Sequence, residues 1–122
     1  MIKAKSIDHV CLWVSSLDEA KKYYEDIFGF KCTYRENNNK TLVIESESVH
    51  FFLCESSDMN EFLNKQHISF NVNSLGEVVD TLVSHEITDY ELGETDCFSE
   101  NNYKWCEWLD PSGIRLECVE LI

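Results

Sequence analysis

Residues 67–82 read HISFNVNSLGEVVDTL, and they decide the fold because they restart a pattern the chain has already run once. His67 to Val72 alternates as a strand with Ile68, Phe70 and Val72 on one side. Ser74 and Glu77 then make a capping box, in which hydroxyl and carboxylate satisfy orphan backbone N–H groups at a helix start. Val78, Val79, Leu82 and Val83 carry that helix to about His85. A shift of 58 residues lays His9 on His67, Val10 on Ile68, Val14 on Val72, Ser16 on Ser74, Leu17 on Leu75 and Glu19 on Glu77, without a gap. Strand, cap and helix start repeat in one register, so the chain is an internal duplication.

Working outward, the first copy runs SIDHVCLWV and then SSLDEAKKYYEDIFGF. Val10 and Val14 fall on its core side, while His9, Cys11 and Trp13 fall on the other. Leu17, Ala20, Tyr24, Ile27 and Phe28 recur at helical spacing, and Gly29 ends the helix because glycine tolerates positive φ. Three strands are expected next, at 30–35, 40–45 and 49–55, with the polar turn Glu36-Asn37-Asn38-Asn39 between the first two. Residues 56–66 read as a polar linker with one helical turn over 59–63. The second copy completes itself with a strand at 88–92 and a hairpin at 105–120, WCEWLDPSGIRLECVE. Pro111 and Gly113 suit a type I turn at Asp110-Pro111-Ser112-Gly113. Cys106, Trp108, Ile114, Leu116 and Cys118 form the hairpin's core face; Trp105, Glu107, Arg115 and Glu117 form its polar face. The longer, polar 93–104 stretch reads as a cover over a site.

The expected fold is therefore α+β: two βαβββ modules whose curved mixed sheets form a trough-like metal and substrate cavity. One domain spans 1–122, with module 1 at about 5–55, a linker at 56–66 and module 2 at about 67–122. Hydrophobic content of 43% sustains a core, and no run is long and apolar enough to cross a bilayer. With no secretory h-region in MIKAKSIDH, a cytoplasmic protein is expected. The net charge of −13 argues against nucleic acid and anionic membranes as partners and would steer a cationic ligand inward, with a small-molecule ligand as the expected partner. Six cysteines show no CxxC and no paired ligand spacing, so reduced thiols are expected, with Cys11, Cys54, Cys106 and Cys118 behaving as small apolar residues.

Both copies set a histidine opposite the apolar positions, and the last strand sets Glu117 on its polar face. With the modules side by side, His9, His67 and Glu117 are expected to converge. Two imidazoles and a carboxylate suit Fe, Mn, Ni, Co or Zn as a divalent cofactor. Glu107 is the available proton-transfer residue, its alternative being a surface pair with Arg115. Cys11, Trp13, His50, Phe52 and Trp105 are expected to line the substrate side, offering aromatic walls and no basic anchor. His85 sits by a helix C-terminus, where a cation is favourable.

IDHVCLWVSSLDEAKKYYEDIFGF, HISFNVNSLGEVVDTL and WLDPSGIRLECVEL together resemble the vicinal oxygen chelate superfamily, which includes glyoxalase I, extradiol dioxygenases, fosfomycin-resistance thiol transferases and bleomycin-resistance binding proteins. The resemblance implies metal ligands at His9, His67 and Glu117. It places Phe52, within one or two residues, where glyoxalase I carries a fourth ligand. It also places Glu107 and Cys11 where the thiol transferases carry a tyrosine and a hydroxyl. Two functions follow as expectations. One is a divalent-metal enzyme (lyase or isomerase, dioxygenase or transferase) acting on a small neutral or cationic oxygen-bearing substrate by Lewis-acid activation. The other is a metal-independent protein that sequesters a cationic or aromatic small molecule. A homodimer is expected in either case, because sheets of this size expose edges.

Overall fold

The computed structural model describes residues 1–35, 38–58, 65–95 and 103–121. The chain divides into two compact units, Met1–Leu63 and Asn64–Ile122. Each is a βαβββ module, as the repeat predicts. The first contains β1 (Cys11–Val14), α1 (Leu17–Phe28), β2 (Lys31–Arg35), β3 (Asn38–Glu45) and β4 (His50–Glu55). The second contains β5 (His67–Asn71), α2 (Leu75–Ser84), β6 (Tyr90–Thr95), β7 (Tyr103–Leu109) and β8 (Arg115–Leu121). Strand order is β1-β4-β3-β2 in one sheet and β5-β8-β7-β6 in the other. Both sheets are mixed: β1 runs parallel to β4 and β5 parallel to β8, while the remaining pairs are antiparallel.

Local chemistry sets the helix ends. Ser16 and Ser74, both extended, accept the amide hydrogens of Glu19 at 3.2 Å and Glu77 at 3.3 Å. Gly29 closes α1 at φ 68°, its amide donating to the Glu25 carbonyl at 2.9 Å. Two further caps come from far along the chain. The Leu17 amide donates to the Glu55 carboxylate at 3.0 Å, and the Leu75 amide to Glu120 at 3.3 Å. In each module the final strand thus places an anion on the positive end of that module's own helix, where the dipole favours it.

The apolar face of each sheet packs under its helix. Val14, Leu17, Tyr24, Leu42, Ile44, Phe51 and Leu53 are buried in the first unit; Phe70, Leu82, Cys106, Trp108, Ile114, Leu116 and Cys118 are buried in the second. The core face read from the hairpin is therefore correct throughout. Val10 departs from expectation: it is 40% exposed, because β1 begins only at Cys11 and Val10 lies at the frayed start of the ladder. Its carbonyl still accepts the Phe52 amide at 2.8 Å. Cys11 is also exposed, where a small apolar role was expected.

The hairpin turn is built as the sequence specifies, with one addition. The Gly113 amide donates to the Asp110 carbonyl at 3.0 Å, and Gly113 adopts φ 88°. Asp110, only 5% exposed, also accepts the amides of Ser112 and Ile114, each at 2.8 Å, through one carboxylate oxygen. That carboxylate fixes the register in which Glu107 faces Glu117, Trp108 faces Leu116 and Leu109 faces Arg115. Asn38 and Asn39, read as turn residues, begin β3 instead, while Glu36 and Asn37 lie outside the described residues. The helical turn expected at 59–63 also lies outside them. Of the expected 93–104 cover, Gly93 to Thr95 end β6 and Tyr103 and Lys104 open β7, pairing with each other; residues 96–102 lie outside the description.

Candidate functional site

In the second unit, neighbouring strands bring three potential donors together on the polar face. His67 enters on β5, Glu107 on β7 and Glu117 on β8, which lies between them. Ser69 is the register partner of Glu117 on one side and Glu107 is its partner on the other. One donor atom from each of His67, Glu107 and Glu117 lies within 4.8 Å of the others. His67 Nε2 stands 3.8 Å from Glu117 Oε1. The Glu107 and Glu117 side chains keep 21% and 14% of their exposure, while His67 keeps 40%. The cluster is thus half-sheltered on its carboxylate side and open at the imidazole.

Directly opposed carboxylates repel one another, so this pairing needs compensation. Arg115 supplies part of it, with Nε 3.3 Å from Glu107 Oε1. The pair with Arg115 was read as the alternative to a site role for Glu107. The structure gives Glu107 both positions at once. Beside His67, Lys65, Gln66, Leu109 and Arg115 complete the lining of a cavity of about 500 Å³. Lys65 and Arg115 are the two cations of this lining.

In the first unit, His9 lies just ahead of β1, with its ring stacked on Phe52 at 4.3 Å between centroids. His50 stands 5.9 Å from His9 and 5.3 Å from Phe52. His9 Nδ1 is 2.8 Å from Asp8 Oδ2, and this hydrogen bond holds the Asp8 carboxyl below its ordinary range. In the tautomer that donates Nδ1–H to Asp8, the Nε2 lone pair is left for a ligand. Cys11 and Trp13 follow on β1, both exposed. Burial and then the neighbouring Cys54 push the Cys11 thiol up to about 11.

Trp105, assigned by sequence to the substrate side, lies across Gly93, its register partner on β6. It lines a cavity of about 380 Å³ with Leu75, Val79 and Leu92, bounded by α2 and the β6–β7 pair. His85 caps α2, with Nδ1 2.9 Å from the Thr81 carbonyl.

The duplicated βαβββ architecture and the sequence behind it agree on the family. The chain belongs to the Glyoxalase/Bleomycin resistance protein/Dioxygenase superfamily, whose model matches residues 6–118. Its fold is similar to that of a virulence protein from Salmonella typhimurium (TM-score 0.82, 16% identity, covering 99% of this chain and 100% of that one). It is also similar to the fosfomycin resistance protein FosX from Listeria monocytogenes, solved with Mn(II) and sulfate (TM-score 0.70, 16% identity, 95% and 90% covered). A third similar structure is lactoylglutathione lyase from Agrobacterium tumefaciens (TM-score 0.69, 15% identity, 97% and 95% covered). No curated protein matches the chain. Among the described residues, no helix is long and apolar enough to cross a membrane.

Proposed function

We propose that this protein is a divalent-metal-dependent enzyme in which His67, Glu117 and His9 hold the ion and Glu107 moves a proton. The observation that carries the reading is the convergence of His67, Glu107 and Glu117 donor atoms within 4.8 Å. Donors on one ion at about 2.0–2.2 Å lie roughly 3–4 Å apart, so the 3.8 Å between His67 and Glu117 needs little side-chain adjustment. Imidazole with carboxylate suits Mn, Fe, Co, Ni or Zn, and the similar FosX was solved with Mn(II). Two half-buried carboxylates face to face also give the unit a use for a cation beyond Arg115.

A bound ion would supply Lewis-acid activation of a substrate oxygen. The chain's own groups divide the rest. Glu107, adjacent to the donors and not needed as one, accepts or returns a proton at its carboxylate oxygen. Arg115 holds that carboxylate in place. In the first unit, Asp8 and Phe52 orient the His9 ring. The substrate of this enzyme is small, oxygen-bearing and neutral. A net charge of −13 draws cations in, yet Lys65 and Arg115 repel them beside His67. A cytoplasmic homodimer belongs to the same reading.

Calorimetric titration with Mn(II), Ni(II) and Zn(II) tests it. Wild type and His85→Ala should bind a divalent ion tightly, and His67→Ala and Glu117→Ala should not. Undiminished affinity in Glu117→Ala, or no binding by wild type, would refute the metalloenzyme and favour the sequestering protein.

A further inference from the structure

Outside the carboxylate cluster, the first unit carries a pair of thiols that no part of the proposed function uses. Cys11 on β1 and Cys54 on β4 have their Sγ atoms 3.1 Å apart. Their strands are parallel neighbours, and the register sets Cys11 beside Phe52 and Trp13 beside Cys54. The two cysteines therefore share one face of the sheet and meet across a diagonal. Thr41 Oγ1 stands 3.8 Å from Cys54 Sγ on the far side, so Cys54 is hemmed toward Cys11. Cys11 is exposed and Cys54 partly so, whereas Cys32, Cys106 and Cys118 are buried. We propose that Cys11 and Cys54 form a reversible disulfide that staples β1 to β4.

The sulfurs already sit closer than an ordinary carbon–carbon contact of about 3.5–4.0 Å. A disulfide bond of about 2.05 Å requires them to close by roughly 1 Å more. Exposed disulfides are the easily reduced, regulatory kind. The strand they would hold is the shortest of its sheet: β1 is an edge strand of four residues. It also continues directly from His9, so the staple would fix the segment that presents that imidazole.

The oxidant is a small soluble disulfide, such as oxidised glutathione. Cys11, as thiolate, attacks one sulfur, forming a mixed disulfide and expelling one small thiolate. Cys54, as thiolate, then attacks the Cys11 sulfur and expels the second. The cysteines lose two electrons and the external disulfide gains them; the two protons given up by the cysteines go to the two released thiols. The equilibrium state is the readout.

The test is a peptide map of the full-length protein equilibrated with oxidised glutathione, with remaining thiols blocked before digestion. Trypsin leaves each of the six cysteines on its own peptide, so every linkage is distinguishable. The expected result is one cross-link, between the Cys11 and Cys54 peptides, with loss of two free thiols and complete reversal by dithiothreitol. Cys54→Ser should instead accumulate glutathione on Cys11. A persistent glutathione adduct on wild-type Cys11 would overturn the proposal, as would a link from Cys11 to Cys97 or to a second chain, or no change in thiol count. The readout is independent of divalent-metal binding.

Discussion

Replacing Asp110 with alanine should loosen the hairpin that aligns the two carboxylates of the cluster. One buried Asp110 oxygen accepts two backbone amides, from Ser112 and Ile114, both at 2.8 Å. Hydrogen bonds to a charged acceptor contribute about 1.5–3 kcal/mol each, and an orphaned buried donor costs about 1–3 kcal/mol. The two bonds share one acceptor, so the losses overlap, and roughly 3 kcal/mol is the expected cost. A chain of this length has a stability of about 6–18 kcal/mol, so the variant should still fold. With a urea slope of about 1–3 kcal/mol/M, the midpoint should fall by about 1–3 M. Fluorescence of Trp105 and Trp108, which precede the turn on β7, reports the transition of the second unit in a Trp13→Phe background. Asp110→Asn keeps an acceptor oxygen and should lose roughly a third as much. Divalent binding should weaken in the alanine variant, because Glu107 and Glu117 depend on this register. Equal midpoints for Ala and Asn, or an Ala shift below about 0.3 M, would refute the reasoning.

Gly93→Ala would drive a Cβ into the Trp105 ring, so the indole must move. The expected cost is about 1–3 kcal/mol with altered tryptophan emission, and a Gly93→Ala/Trp105→Ala double variant should recover most of it in a double-mutant cycle. Ser74→Ala should cost about 1 kcal/mol by thermal melting, because Glu77's amide loses its acceptor. The hydrogen bond to Asp18, with burial adding to it, pushes the Tyr34 phenol up to about 12. Stability tied to the neutral phenol is present below the unfolded value of about 10 and lost as pH rises through about 12. In an ultraviolet pH titration, Tyr34→Phe should remove a tyrosine signal that ionises well above the ordinary value.

The architecture was legible because its signals are short-range. Ser16 with Glu19, Ser74 with Glu77, and Gly29 at positive φ are each settled within a few residues, and their repetition gave the module count. The hairpin register followed from a turn whose chemistry lies inside four residues. Alternation overran at Ser6 to Val10, where β1 has not yet begun, since a strand's length depends on its partner's reach. Four site features stayed illegible for the same reason. The Glu55 and Glu120 caps, the pairing of Cys11 with Cys54, and the membership of Glu107 in the donor cluster all join residues from distant or separate strands. Composition places such residues on a face but cannot choose their neighbours across the sheet.

Among the described residues, every strand pairing, together with the carboxylate that seats each helix start, closes inside one copy of the repeat. That confines the entropic expense of folding. The longest closure in each half, β1 onto β4 and β5 onto β8, spans a similar length of chain, and closure entropy grows only as the logarithm of that length. Neither half therefore needs the other as a template for its own ladder. Extra residues spliced into 56–66 lengthen neither closure and should leave both refolding rates alone. The same insertion between β2 and β3 lengthens the β1–β4 closure and should slow the first half only.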